Sequence, residues 1–294
     1  MTSASRPTIW RHVVKEVRAN RTSQVAVAIL CVLIVCAIFA PWIARHDPLV
    51  LELESSRFLP PFFIDGGSLL HPFGTDSSGR DVFARVVYGG RVSLLLGFLP
   101  VAIGAGLGVP LGLLSGYLGG RVDDLLMRLN DCLLAFPAIL IALILVAFLG
   151  QGIVNLMVAV GIAYAPTFAR VARSAALGER SKDYVTSAQA NGASLSRVLL
   201  VHVLPNILNS IVVVATMSFA SALLESAGLS FLGLGVRPPT PEWGAMLAEG
   251  KADFYQAWWT LVFPGSAIFL TVLCLNILGD SLRDALDPRS RTRS

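Results

Sequence analysis

The sequence predicts an all-α polytopic membrane protein with six transmembrane helices. Two observations of composition and one of arrangement carry this. Hydrophobic residues are 54% of the 294 positions and charged residues 14%, with mean hydropathy +0.69; soluble domains run near one-quarter charged. The apolar residues are gathered into six long runs, on the scale of the ~20 residues a helix needs to cross a bilayer. Polar stretches rich in Gly, Pro and Arg separate the runs.

Taken in order, a basic start (Arg6, Arg11, Lys15, Arg18 and Arg21 against Glu16) precedes the first apolar run, residues 25–43. The run is long for a secretory signal, and Pro41-Trp42 leaves no clean small-x-small cleavage site, so it reads as a retained span with Trp42 near the interface. Residues 44–91 form a long mixed-charge loop ending HPFGTDSSGRDVFARVVYGGRVSL. Gly74, Gly79, Gly89 and Gly90 suggest turns around a short helix at 81–88. The second span, 92–117, carries Gly104, Gly108, Gly112 and Gly116, followed by Gly120, each four residues on; such a ridge lets helices approach backbone to backbone in lipid. Pro100 and Pro110 imply kinks in it.

A short loop, 119–130, leads to a third span, 131–149, interrupted by Pro137. After a tight turn at 150–152 comes the fourth span, 153–168, with Pro166 near its end. The fifth span is 207–229, the sixth 258–278, and a polar loop at 228–257 joins them. The tail GDSLRDALDPRSRTRS is basic.

Between spans four and five lies the polar stretch 170–206, RVARSAALGERSKDYVTSAQANGASLSRVLLVHVLPN, with five Lys/Arg. Its pattern predicts two short helices. The first covers 183–190, built on small residues (Ser187, Ala188, Ala190) that allow close approach of another backbone. Gly192 ends it by a left-handed turn. Ser194 caps the second, which places Leu195, Val198, Leu199 and His202 on one face until Pro205 breaks the pattern.

Sixteen of the 23 Lys and Arg fall on the side that holds both termini, 119–130 and 170–206, and seven on the other. Positive charge favours the cytoplasm, so both termini and the 170–206 loop are expected inside a plasma membrane. The net charge of +4 is therefore a matter of topology, with no nucleic-acid partner called for.

Chemistry-bearing motifs are few. Gly250-Lys251 lacks the upstream Gly and the following Ser/Thr of a P-loop, so the chain should not hydrolyse ATP itself. Ser115 and Ser230 are not in a protease elbow. Cys31, Cys36, Cys132 and Cys274 lie in or beside apolar runs, without metal-ligand spacing. His71 and Asp76 have no further ligands at metal spacing, so neither a metal nor a cofactor is expected. Ionisable groups at membrane depth are functional candidates by default. Asp131 and Glu225 qualify, although both are close enough to an interface to be solvated. Ser210, Ser218, Ser221 and Glu225 share roughly one face of the fifth span, either a translocation path or a packing surface.

The 170–206 stretch resembles the coupling loop of the membrane subunits of ATP-binding-cassette importers. That family's pattern is Glu-Ala-Ala, three residues, Gly, and later Leu-Pro. Gly192, Leu204 and Pro205 match in spacing, His202 and Asn206 are similar to the peptide-permease version, and Thr186, Ser187, Ala188 stand at Glu-Ala-Ala with only the last kept. The stretches 71–94 and 228–247 and the tail also resemble dipeptide and oligopeptide permeases, specifically the second permease subunit.

The resemblance implies a type I importer transmembrane domain. In domain terms, 1–91 holds the tail, first span and outer loop, 92–280 the core and 281–294 the cytoplasmic tail. It implies coupling through Asp183, Tyr184, Ser187, Ala188, Ala190, Gly192, His202, Leu204 and Pro205. It also implies as partners a homologous second permease, two cytoplasmic ATP-binding subunits or domains, and an extracytoplasmic peptide-binding protein. Related permeases carry nickel chelates, opines or cationic peptides. Outside the class, a secondary carrier or a membrane scaffold remains possible on the residues alone.

Overall fold

The computed structural model describes residues 20–44, 46–50 and 57–286. Most of the basic start, Arg45 and three of the four tail arginines (Arg289, Arg291 and Arg293) lie outside them. Among the described residues the fold is helical, with one isolated β-bridge, Thr75 to Asp81.

Helix α1, Arg21–Ile38, starts where Asn20 accepts a hydrogen bond from the Thr22 amide (3.0 Å). A short turn, α2, Ala40–Ile43, follows it. Helix α3, Val82–Leu118, is capped by Asp81 and runs unbroken for 37 residues. This corrects the expected short helix at 81–88 with turns at Gly89 and Gly90. The glycine pair is inside α3, where the bare backbone seats Trp243: an added Cβ would lie 3.3 and 3.2 Å from its ring. Pro100 and Pro110 also lie within this one helix.

The expected loop at 119–130 is helical too. Helix α4, Gly120–Leu134, and α5, Ala138–Leu149, meet at 88° around the break before Pro137. A 12-residue α5 spans roughly 18 Å, short of the ~30 Å apolar core of a bilayer. The third span is therefore a bent pair, and the described helices give five complete spans, or six with the pair counted.

Helix α6, Ile153–Arg180, extends well past the expected end at 168. Helix α7 is Asp183–Ala190, as the small-residue pattern predicted. Helix α8 runs Leu195–Phe231 and passes straight through Pro205, contrary to the expected break. Residues Val198–Val203 are wound as a π-helix, and Pro205 stands in the first turn of the regular helix that follows. There its missing N–H costs least. Helix α9, Trp243–Gly250, lies in the loop before α10, Trp259–Leu286.

The core is built on the α3–α6 pair, the largest helix interface in the fold. A Cβ on Gly108 or Gly112 would stand 2.2 Å from the Ala165 or Ala169 carbonyl oxygen, and on Gly116 2.6 Å from that of Arg173. The ridge is thus a backbone-to-backbone seam, as small residues make possible in membranes. Gly120 lies off it: it opens α4 with φ +57° and nothing nearby. Helix α8 packs on both members of the pair, and α10 packs against α8 and α1. Ser23 and Ser281 hydroxyls meet at 2.6 Å, fixing the start of α1 beside the end of α10. Alternation of the spans places the start of α1, the end of α3, α7 and the end of α10 at one end of the bundle, called here the terminal end. The 57–81 loop and α9 sit at the other, the cap end.

Candidate functional site

Helix α7 is a small bracket at the terminal end. It leaves the body after Arg180 and returns through a left-handed turn. Gly192 has φ +77°. Its amide bonds the Gln189 carbonyl (2.9 Å), and the Ala193 amide bonds that of Ala188 (3.1 Å). These two bonds form the Schellman closure of a helix C-terminus. One side chain of α7, Val185, is fully buried. Asp183, Tyr184, Thr186, Ser187, Gln189 and Ala190 are exposed, and Ala188 is half-buried. The bracket thus presents a mostly small and polar surface, with Tyr184 and Gln189 at its two ends.

Polar contacts hold its two ends. At the first, Tyr184 donates to Glu179 (2.5 Å), and Lys182 pairs with the same carboxylate (2.6 Å). Asn206 donates to the Tyr184 hydroxyl (3.2 Å) and to the His202 carbonyl (2.7 Å). Burial, and then the Glu179 carboxylate, push the Tyr184 hydroxyl above its ordinary range. His202 therefore serves through its carbonyl, with its ring half-buried; Leu204 and Pro205 are half-buried in α8. At the other end, Gln189 donates to the Tyr117 hydroxyl at the foot of α3. Motif reading had not singled out Tyr117, Glu179 or Gln189. Asn206, read there only as a family match, proves to be the strut. Contacts across 72 residues, as between Gln189 and Tyr117, leave no mark in local spacing.

The predicted stripe on α8 is divided. Ser210 and Ser221 are exposed, Ser218 is buried and Glu225 is half-buried. The Tyr164 hydroxyl on α6 stands within reach of both Ser221 and Glu225. One Glu225 oxygen, Oε2, is buried without a hydrogen-bond partner. Asp131 has a partner: it pairs with Arg170 at 2.7 Å, both exposed on the protein surface.

At the cap end, the two stretches 71–94 and 228–247 meet. Arg80 bonds Asp76 (2.7 Å) and Glu249 (2.7 Å), and buried Arg85 bonds Glu249 (2.8 Å). Glu242 accepts from the Gly244 and Ala245 amides (2.8 Å each) and from Ser93 (3.2 Å). The indole of Trp243 donates to the Val86 carbonyl, and that of Trp259 to the Thr75 carbonyl (2.9 Å each). These contacts join the 57–81 loop, α3, α9 and α10 into one polar cap.

A bundle of apolar helices with a small exposed bracket at one end and a locked cap at the other has clear relatives. The family model described as the binding-protein-dependent transport system inner membrane component matches residues 108–292. The chain belongs to that family. The N-terminal transmembrane domain of oligopeptide transport permease C matches residues 8–61 of this permease. It is 43% identical to a di/tripeptide transport system permease protein of Pseudomonas aeruginosa, covering 92% of this chain and 89% of that protein. It is 47% identical to a glutathione transport system permease protein of Escherichia coli, covering 96% and 91%. A solved chain of the MetNI methionine ABC transporter, inward facing, shares the fold at TM-score 0.57 and 19% identity, covering 69% of this permease and 97% of that chain. The permease is thus a multi-pass membrane subunit of an ABC importer with the type I fold.

Proposed function

We propose that this permease forms one half of the translocation path of a peptide importer, driven by partner ATPases through α7. The observation that carries the coupling is the bracket itself. It stands outside the span bundle, exposes short side chains, and is tied to α3 by Gln189–Tyr117 and to α6 and α8 by Tyr184 and Asn206. A body pulling on α7 would move three long helices together. Packed interfaces respond to such a pull by switching between discrete arrangements.

Terminal-end placement in the cytoplasm follows from the Lys/Arg distribution and puts α7 on the side where ATP is hydrolysed. No P-loop is present in the sequence, so the two nucleotide-binding units are separate partners. The second permease is a homologous chain, and an extracytoplasmic binding protein delivers cargo at the cap end. Asp183, Tyr184, Ser187, Ala188, Ala190 and Gly192 form the docking surface, with His202, Leu204 and Pro205 in its return arm. Ser210, Ser221 and Glu225 face the path, with Ser218 packed behind them. Peptide as cargo is supported by the relatives' names, and glutathione is itself a tripeptide. The core is 92–280, flanked by the two segments that resemblance implied.

Gly192→Asp tests this. No atom lies within 4 Å of the added Cβ, and Asp tolerates the left-handed turn better than most residues. The variant therefore inserts normally but sets a carboxylate on the docking face. ATPase co-purification or peptide uptake should fall sharply. Normal values of both would refute the assignment.

A further inference from the structure

Outside the bracket and the path, three side chains from distant parts of the chain converge at the cap end. His46 follows α2, His71 lies in the outer loop, and Asp81 caps α3. His46 Nδ1 stands 3.7 Å from Asp81 Oδ2, and His71 Nδ1 stands 3.5 Å from Asp81 Oδ1. The imidazoles stack with centroids 4.8 Å apart. One ligand atom from each residue falls within 4.8 Å of the other two. His71 and Asp81 are buried and His46 is partly open. Beside them lies a cleft of about 380 Å³ lined by His46 and Asp81 among apolar side chains such as Ile43, Leu69 and Phe83.

We propose that His46, His71 and Asp81 bind a divalent transition-metal ion of the Zn²⁺ class, clamping the first span to the start of α3. Two imidazoles and one carboxylate are the donor set such borderline ions prefer over Mg²⁺ or Ca²⁺. Bonds of about 2.0–2.1 Å in a tetrahedral site set ligand atoms roughly 3.4 Å apart. With Asp81 Oδ1 as the ligand atom, the 3.5 Å distance from His71 Nδ1 is already close to that, and a turn of the less buried His46, now facing Oδ2, brings its nitrogen into range. Asp81 can ligate through one oxygen while the other keeps its hydrogen bond from the Ala84 amide (3.1 Å). The nearby guanidinium groups do not compete, since Arg80 and Arg85 are engaged by Asp76 and Glu249. The fourth position opens on the cleft, where water completes the shell.

The test uses the full-length chain in detergent, purified without a histidine tag, and titrated with Co²⁺ as a spectroscopic probe and with Zn²⁺ in competition. One equivalent should bind with the visible bands of a four- or five-coordinate nitrogen–oxygen site, and the melting temperature should rise with Zn²⁺. His46→Ala, at the partly open position, should bind about tenfold or more weakly, as should His71→Asn, while His202→Ala binds normally. Absence of binding at micromolar metal, or binding unchanged by His46→Ala, would overturn the site. Neither result bears on ATPase coupling at the opposite end.

Discussion

The Gln189 side chain donates a hydrogen bond to the hydroxyl of Tyr117, joining the C-terminal end of the exposed bracket to the foot of the longest helix in the core. It is a direct side-chain contact between α7 and α3, the helix that carries the glycine seam. A neutral hydrogen bond of this kind is worth about 1 kcal/mol net, too little to hold the fold but enough to bias two arrangements of a joint.

Tyr117→Phe should therefore leave expression and melting temperature nearly unchanged while lowering peptide uptake per ATP hydrolysed. The check is paired transport and ATPase assays in proteoliposomes. An unaltered ratio would mean α7 drives α3 through its other contacts.

The seam makes a sharper structural prediction. Gly112→Ala places a methyl 2.2 Å from the Ala169 carbonyl oxygen, whereas Gly106→Ala on the same helix meets nothing within 4 Å. Overpacking of this kind costs about 1–3 kcal/mol or more. Gly112→Ala should lower the melting temperature and the yield of folded protein, and Gly106→Ala should do neither.

At the cap, Glu249 serves both Arg80 and Arg85, and Arg85 is almost wholly buried. Removing one partner of a buried pair typically costs about 3–5 kcal/mol, because the remaining charge loses its compensation. Glu249→Ala should therefore destabilise strongly, read as a fall in melting temperature in detergent. Asp76 remains near Arg85 (3.7 Å) and holds the loss toward the lower figure.

Glu242 carries the pH dependence. Burial pushes its carboxyl above the ordinary range, against the opposing pull of the Gly244 and Ala245 amides. A group whose folded value is raised contributes stability below its unfolded value and loses it as pH climbs through the folded one. The melting temperature of the wild type relative to Glu242→Gln should thus decline from about pH 4.5 upward. A flat difference across that window would show that the amides hold the carboxylate ionised.

How much of this was legible in the sequence varies by scale. The helical membrane class, the small-residue helix at 183–190, its glycine stop and the glycine ridge were all readable, because each is set by composition or by periodicity within a few turns. Misreadings arose where a residue's local habit was overruled by its neighbours. Gly89 and Gly90 looked like a turn but form the seat of Trp243. Pro205 looked like a breaker but falls where a π-helix hands over to the regular one. The interruption expected at Pro137 is there, but the size of the turn, 88°, was not in the local sequence.

By itself, then, the chain's order of residues determined the helical membrane class, which face of the second span is smooth, and where the short exposed helix begins and ends. Those are consequences of side-chain size, polarity and backbone freedom, which act over a few residues. Only the tertiary structure decided that Gln189 reaches Tyr117, that Arg85 meets Glu249, and that His46, His71 and Asp81 stand together. Such pairings depend on how long helices dock, and docking is fixed by the summed fit of the α3–α6 seam and not by the spacing of the residues it brings into contact.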